Sequence, residues 1–77
     1  MTTKVEILID GLQFPEGPGF DEQGNLWFVE IEGGNLNKLS GGDRLKYDTG
    51  GSPNGLTFTE SGNILLCDAG QNKILSF

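Results

Sequence analysis

Pro15-Glu16-Gly17-Pro18-Gly19-Phe20-Asp21-Glu22-Gln23-Gly24-Asn25 returns 38 positions later as Pro53-Asn54-Gly55-Leu56-Thr57-Phe58-Thr59-Glu60-Ser61-Gly62-Asn63. Pro15, Gly17, Phe20, Glu22, Gly24 and Asn25 each meet an identical residue. Upstream, Asp10 falls on Asp48. The apolar positions follow the same shift without a gap: Ile7 on Leu45, Ile9 on Tyr47, Leu26 on Ile64, Leu36 on Ile74, and Leu39 on Phe77. A gapless period near forty residues, rich in Gly turns and without helical periodicity, is the pattern of propeller blades of about four short strands each. The predicted fold class is all-β: two β-propeller blades, with repeat units at roughly 1–39 and 40–77 of a single partial domain.

Strands follow from apolar residues spaced two apart in short segments rich in β-branched and aromatic types. They are expected at 5–9, 16–20, 25–31, 35–39, 44–48, 54–58, 63–68 and 73–77. Gln23-Gly24-Asn25 and Ser61-Gly62-Asn63 turn the chain between consecutive strands, where Gly accepts positive φ without a steric cost. Gly33-Gly34-Asn35 and Gly70-Gln71-Asn72 make the next pair of turns, Ser40 to Asp43 another, and Thr49 to Pro53 links the units.

Segment 5–9 is in register with 44–48, the outer strand of a blade. Each unit therefore reads outer, inner, middle, middle. Two such units leave an apolar face open at each end, because a blade packs on a neighbour at both faces. The strand ending at Phe77 would also expose a sheet edge. The ring is expected to be completed by further sequence or by further copies of the chain.

Composition narrows the function classes. Eleven acidic against five basic residues give a net charge of −6, which repels nucleic-acid phosphates and anionic membrane surfaces. No apolar run nears the ~20 residues of a spanning helix. MTTKVEILID lacks the apolar core of a secretory signal, and Cys67 is alone, so a reducing, cytoplasmic setting is expected.

Two segments at the same phase of the repeat carry the candidate chemistry: Phe14-Pro15-Glu16-Gly17-Pro18 and Ser52-Pro53-Asn54-Gly55-Leu56. Both precede an innermost strand, which in a propeller is the mouth of the central channel. Glu16 and Asn54 are thus equivalent positions bearing a carboxylate and an amide oxygen. Those ligands suit a hard cation such as calcium or magnesium, and the chain has no His and a single Cys for softer metals.

The motifs FPEGPGFDEQGNLWFVEI, GGNL, GGSPNGLTF and LLCDAGQNKI together make the chain similar to the N-terminal part of the senescence marker protein, gluconolactonase and luciferin-regenerating enzyme family. The resemblance spans essentially the whole chain. It implies two blades of a six-bladed propeller and a divalent-metal-dependent hydrolase of sugar lactones. The metal would be calcium foremost, with zinc or magnesium as alternatives. By the same resemblance Glu16 is a metal ligand and Asn54 faces substrate and metal-bound water. The family's later asparagine and aspartate, the latter its general base, have no counterpart here, so the chain alone is expected to be inactive.

Other residues have plainer readings. Asp21 to Asn25 looks like a calcium loop, but its spacing fails the EF-hand pattern and a hairpin turn explains it. Asp68 is expected to cap the Ala69-Gly70 turn, and Glu30, its equivalent, to be structural or rim-facing. Trp27 and Phe28 read as packing between blades, and Cys67 as a small buried hydrophobe. An alternative to the enzyme part is a self-assembling, non-catalytic module, a homotrimer whose three copies complete six blades around a cation or ligand. A third reading is a propeller module whose charged mouth recognises a protein or sugar.

Overall fold

A computed structural model describes residues 4–77. Seven strands form: β1 (Pro15–Phe20), β2 (Leu26–Glu30), β3 (Asn35–Ser40), β4 (Asp43–Asp48), β5 (Pro53–Phe58), β6 (Ile64–Asp68) and β7 (Lys73–Ser76). They build two antiparallel sheets, ordered β1-β2-β3-β4 and β5-β6-β7, with no helix among the described residues.

The turns explain why the strands stop where they do. Asp21 Oδ1 accepts from the backbone N–H groups of Gln23 (3.0 Å) and Asn25 (2.9 Å), and Oδ2 accepts from Asn25 Nδ2 (3.1 Å) and the Trp27 indole (2.9 Å). Gly24, at φ 82°, closes the turn by donating to the Asp21 carbonyl. This is a hairpin, as the spacing predicts. In the second sheet Thr59 takes the same place, its hydroxyl accepting from the Asn63 N–H at 3.0 Å. The indole donor, helped by the turn amides, outweighs partial burial and lowers the Asp21 carboxyl to about 2. A lowered acid stabilises the fold above its ordinary pKa and loses that contribution as the pH falls towards the folded value.

The sheets stack with β5 against β1 and β2. Alternation along β2 sends Trp27 and Val29 to one face, and these meet Leu36 of β3 and Ile64 and Leu66 of β6 in the buried core. Tyr47, Leu56, Phe58 and Leu75 pack around that cluster. Trp27 stacks on Tyr47 at 6.2 Å between centroids and meets Phe77 edge-on at 5.9 Å, while the Lys38 ammonium lies 5.3 Å from its ring centroid.

Gly17 sets the distance between the sheets. Its φ is +58°, and a Cβ there would stand 3.0 Å from the Gly55 Cα. Gly17→Ala is expected to cost about 2 kcal/mol, the left-handed penalty plus the displacement of β5. Gly24→Ala, with a similar φ but open space around it, should cost only about 1 kcal/mol. Urea midpoints of the two variants make the comparison.

Three expectations are corrected. Segment 5–9 pairs with neither sheet, and Val5, Ile7 and Leu8 are 90%, 78% and 72% exposed. It lies instead beside Leu26 and Phe28, on the face of the first sheet turned away from the second. Its repeat-equivalent, β4, pairs with β3. The corresponding partner, β7, is in the sheet across the molecule. Cys67 is exposed, not buried, because it shares the uncovered face of β6 with Leu65. Phe28 is buried, but on the face opposite Trp27, so only Trp27 lies between the sheets. The sheets themselves cover 15–48 and 53–76, each starting at an inner strand, as the outer-inner-middle-middle order implies.

Candidate functional site

β1 and β5 each begin with a proline and carry a positive-φ glycine two residues on, Gly17 at 58° and Gly55 at 137°. Without side chains there, the two backbones come into contact. Glu16 and Asn54, the residues just before these glycines, are both exposed. The pairing register of both strands is interrupted at this point, between Glu16 and Gly19 and between Pro53 and Leu56. A bulge of this kind re-aims the side chains beside it.

Among the described residues, the one hydrogen bond to the Glu16 carboxylate is from the adjacent Gly17 N–H, at 2.9 Å. Glu16 borders a depression of about 410 Å³ with Ile7, Leu8 and Phe28, whereas Asn54 borders one of about 270 Å³ with Cys67, Asp68 and Ile74. The two residues therefore share a strand phase and an end of the molecule without sharing a cavity. Among the described residues no three Asp, Glu or Cys side chains converge on one point.

The other acidic pair at a common phase, Glu30 and Asp68, is buried and fully engaged. Asp68 Oδ1 accepts from the N–H groups of Ser52 (2.9 Å) and Gln71 (3.0 Å), and Oδ2 from Gln71 Nε2 (2.9 Å). It ties the start of β5 to the β6–β7 turn. Glu30 Oε2 accepts from the Gln13 N–H at 2.7 Å, and Oε1 from Arg44 Nη2 (2.7 Å) and Asn37 Nδ2 (3.1 Å). Arg44 Nε donates in turn to Asn37 Oδ1 at 2.9 Å. For both acids burial pushes the pKa up, and the donors around them more than reverse it, leaving each below its usual value. Buried carboxylates held by three donors each in this way are structural.

Sequence reasoning did not anticipate the Glu30–Arg44–Asn37 network. Its signal was a carboxylate recurring at a strand end, with an Arg and an Asn on neighbouring strands of the same face.

A cleft between the sheets, about 400 Å³, opens at the opposite end of the molecule from Glu16. It lies between the turns at Asp21–Gln23 and Thr59–Gly62, with Trp27 and Lys38 in its wall. Asp21 and Thr59 in its wall are spent on the two turns, so it is a seam between hairpins. No protein-family model and no curated protein matches the chain.

Proposed function

We propose that the two sheets are neighbouring blades of a six-bladed propeller belonging to a lactonase-type hydrolase of sugar lactones, with Glu16 as one ligand of a divalent cation and Asn54 facing the substrate. The observation that carries this reading is the glycine contact at the start of β1 and β5, which sets two equivalent strand starts side by side and leaves a carboxylate and an amide exposed there. Oxygen ligands of this kind fit calcium best, with zinc or magnesium as alternatives. When bound, the cation would polarise a lactone carbonyl and acidify a coordinated water. Glu16 contributes negative charge and one or two oxygens to hold it. Asn54 offers both an N–H donor and an oxygen acceptor, which suits orienting a sugar hydroxyl. The carboxylate that takes the proton from water is expected from other blades, so the isolated chain should hydrolyse no δ-lactone.

Calcium titration followed by backbone amide shifts is the direct test. The expected result is weak binding, at about 10⁻³ M for so few ligands, centred on Glu16 and Gly17. Glu16→Gln should weaken it at least about ten-fold, since the substitution removes the charge of the proposed ligand itself. Equal calcium affinity in wild type and variant overturns the assignment.

A further inference from the structure

The stack of the two sheets is head to tail. The first sheet presents Trp27, Val29 and Leu36 to the contact, and the second presents Ile64 and Leu66. By the 38-residue repeat, Ile64 and Leu66 are equivalent to Leu26 and Phe28, which lie on the opposite face of the first sheet. Unlike faces therefore meet, and such a heterologous contact can be applied again. The molecule is left with one face of each kind. Leu65, Cys67 and Ile74 line an apolar depression on the outside of the second sheet. Leu26 and Phe28 lie on the outside of the first, flanked by residues 6–9.

The free edge is equally specific. The second sheet ends at β7, whereas its equivalent β3 carries β4 in the register Asn35 to Asp48, Leu36 to Tyr47, Asn37 to Lys46 and Lys38 to Leu45. Shifting each residue by the repeat places Asp10 opposite Lys73, Ile9 opposite Ile74, Leu8 opposite Leu75 and Ile7 opposite Ser76. The opposed charges and the paired isoleucines are the complementarity a cross-strand ladder needs. Residues 6–10 are outside any sheet and stand in front of the first sheet much as β4 stands in front of the second, where Tyr47 touches Phe77 at 4.6 Å.

We propose that this chain binds a second copy of itself by strand addition, residues 6–10 of one copy pairing antiparallel with β7 of the next in the register Asp10 to Lys73. The contact gives the self-assembling reading of the sequence a defined geometry, and it needs neither the cation nor the lactone. Repeated round a ring, it lets three copies complete six sheets. The unpaired edge and both apolar faces are covered in the same event.

The test pairs two variants, both carrying Cys67→Ser, because Cys67 is the cross-strand neighbour of position 74 and would capture a thiol placed there. One carries Ile9→Cys and the other Ile74→Cys. Mixed and oxidised, they are expected to give a covalent heterodimer. Leu8→Cys in place of Ile9→Cys points to the other face and should give none. Native mass spectrometry of the unmodified chain should show a species of three chain masses. Ile9→Pro, which removes from a segment outside both sheets the N–H that this register aims at the Ile74 carbonyl, should weaken association at least ten-fold with an unchanged circular dichroism spectrum. A chain that stays monomeric at every concentration overturns the proposal. Oligomers that form without a disulfide between positions 9 and 74 overturn it too, by refuting the register, and neither outcome touches the calcium result.

Discussion

Trp27→Ala is expected to destabilise the chain by about 4 kcal/mol, the middle of the range for truncating a buried aromatic. The side chain sits between the sheets and is 7% exposed. It touches elements from both: Tyr47 of β4 and Phe77 beyond β7. Without it the stacked trio of rings falls apart, and the cavity opens at the contact that joins the two sheets. A domain of this size holds a stability of order 5 kcal/mol, so the variant should keep only about 1 kcal/mol, with roughly one chain in six unfolded at room temperature. Chemical denaturation followed by circular dichroism gives the measurement, and a loss under about 1 kcal/mol would mean that the sheets do not depend on this contact. Trp27→Phe separates the ring from its N–H. It should cost less, and the Asp21 carboxyl should rise from about 2 towards the ordinary range, because the indole is the strongest of the donors that lower it. A carbon-detected titration of the Asp21 carboxyl reads this directly.

The middle and end strands of each sheet were legible because two local signals agreed there. Short continuous apolar runs marked β2 and β6, and Gly-Asn turns fixed where β2, β3 and β6 begin. The missing strand at 5–9 was the instructive departure. Val5, Ile7 and Ile9 alternate correctly with Glu6 and Leu8, and the repeat assigns them to an edge. A strand exists only where another backbone meets its hydrogen bonds, however, and no pattern within a segment states where its partner is. Cys67 failed for the same reason. An apolar run suits a strand covered on both faces, and neither sheet of this chain covers the face of β6 that carries Cys67. The exposed placement of Glu16 and Asn54 was readable from the flanking proline and glycine. Whether they share a ligand was not, because that depends on the angle between stacked sheets, which the repeat leaves free. The Glu30–Arg44–Asn37 network was hidden for a further reason: its members are spread over three strands and meet only once β2, β3 and β4 are in register.

Arg44→Met is expected to cost about 3 kcal/mol at neutral pH, the low end for breaking a buried ion pair from one side, because Arg44 itself keeps 26% of its side chain in solvent. The methionine keeps the packing over Phe28, whose ring lies 5.9 Å from the guanidinium. What it removes is the Nη2–H that Glu30 Oε1 receives and the Nε–H that Asn37 Oδ1 receives. Glu30 would remain charged, 2% exposed, with only the Gln13 N–H and the Asn37 amide as donors. Adding Glu30→Gln removes the stranded charge, so the double variant should regain about half of the loss. The pH dependence identifies the cause. In the wild type burial raises the Glu30 pKa, but the Gln13 and Asn37 donors and the Arg44 and Lys46 charges together bring it below 4.5. That depressed acid stabilises the fold at neutral pH, and its contribution fades as the pH falls through the folded value. Without the guanidinium, burial is offset less and the pKa should rise, so protonation costs the variant less than it costs the wild type. The stability gap between the two should therefore narrow steadily between about pH 7 and pH 4. A gap that stays constant over this range would show that the loss comes from packing and not from a stranded carboxylate.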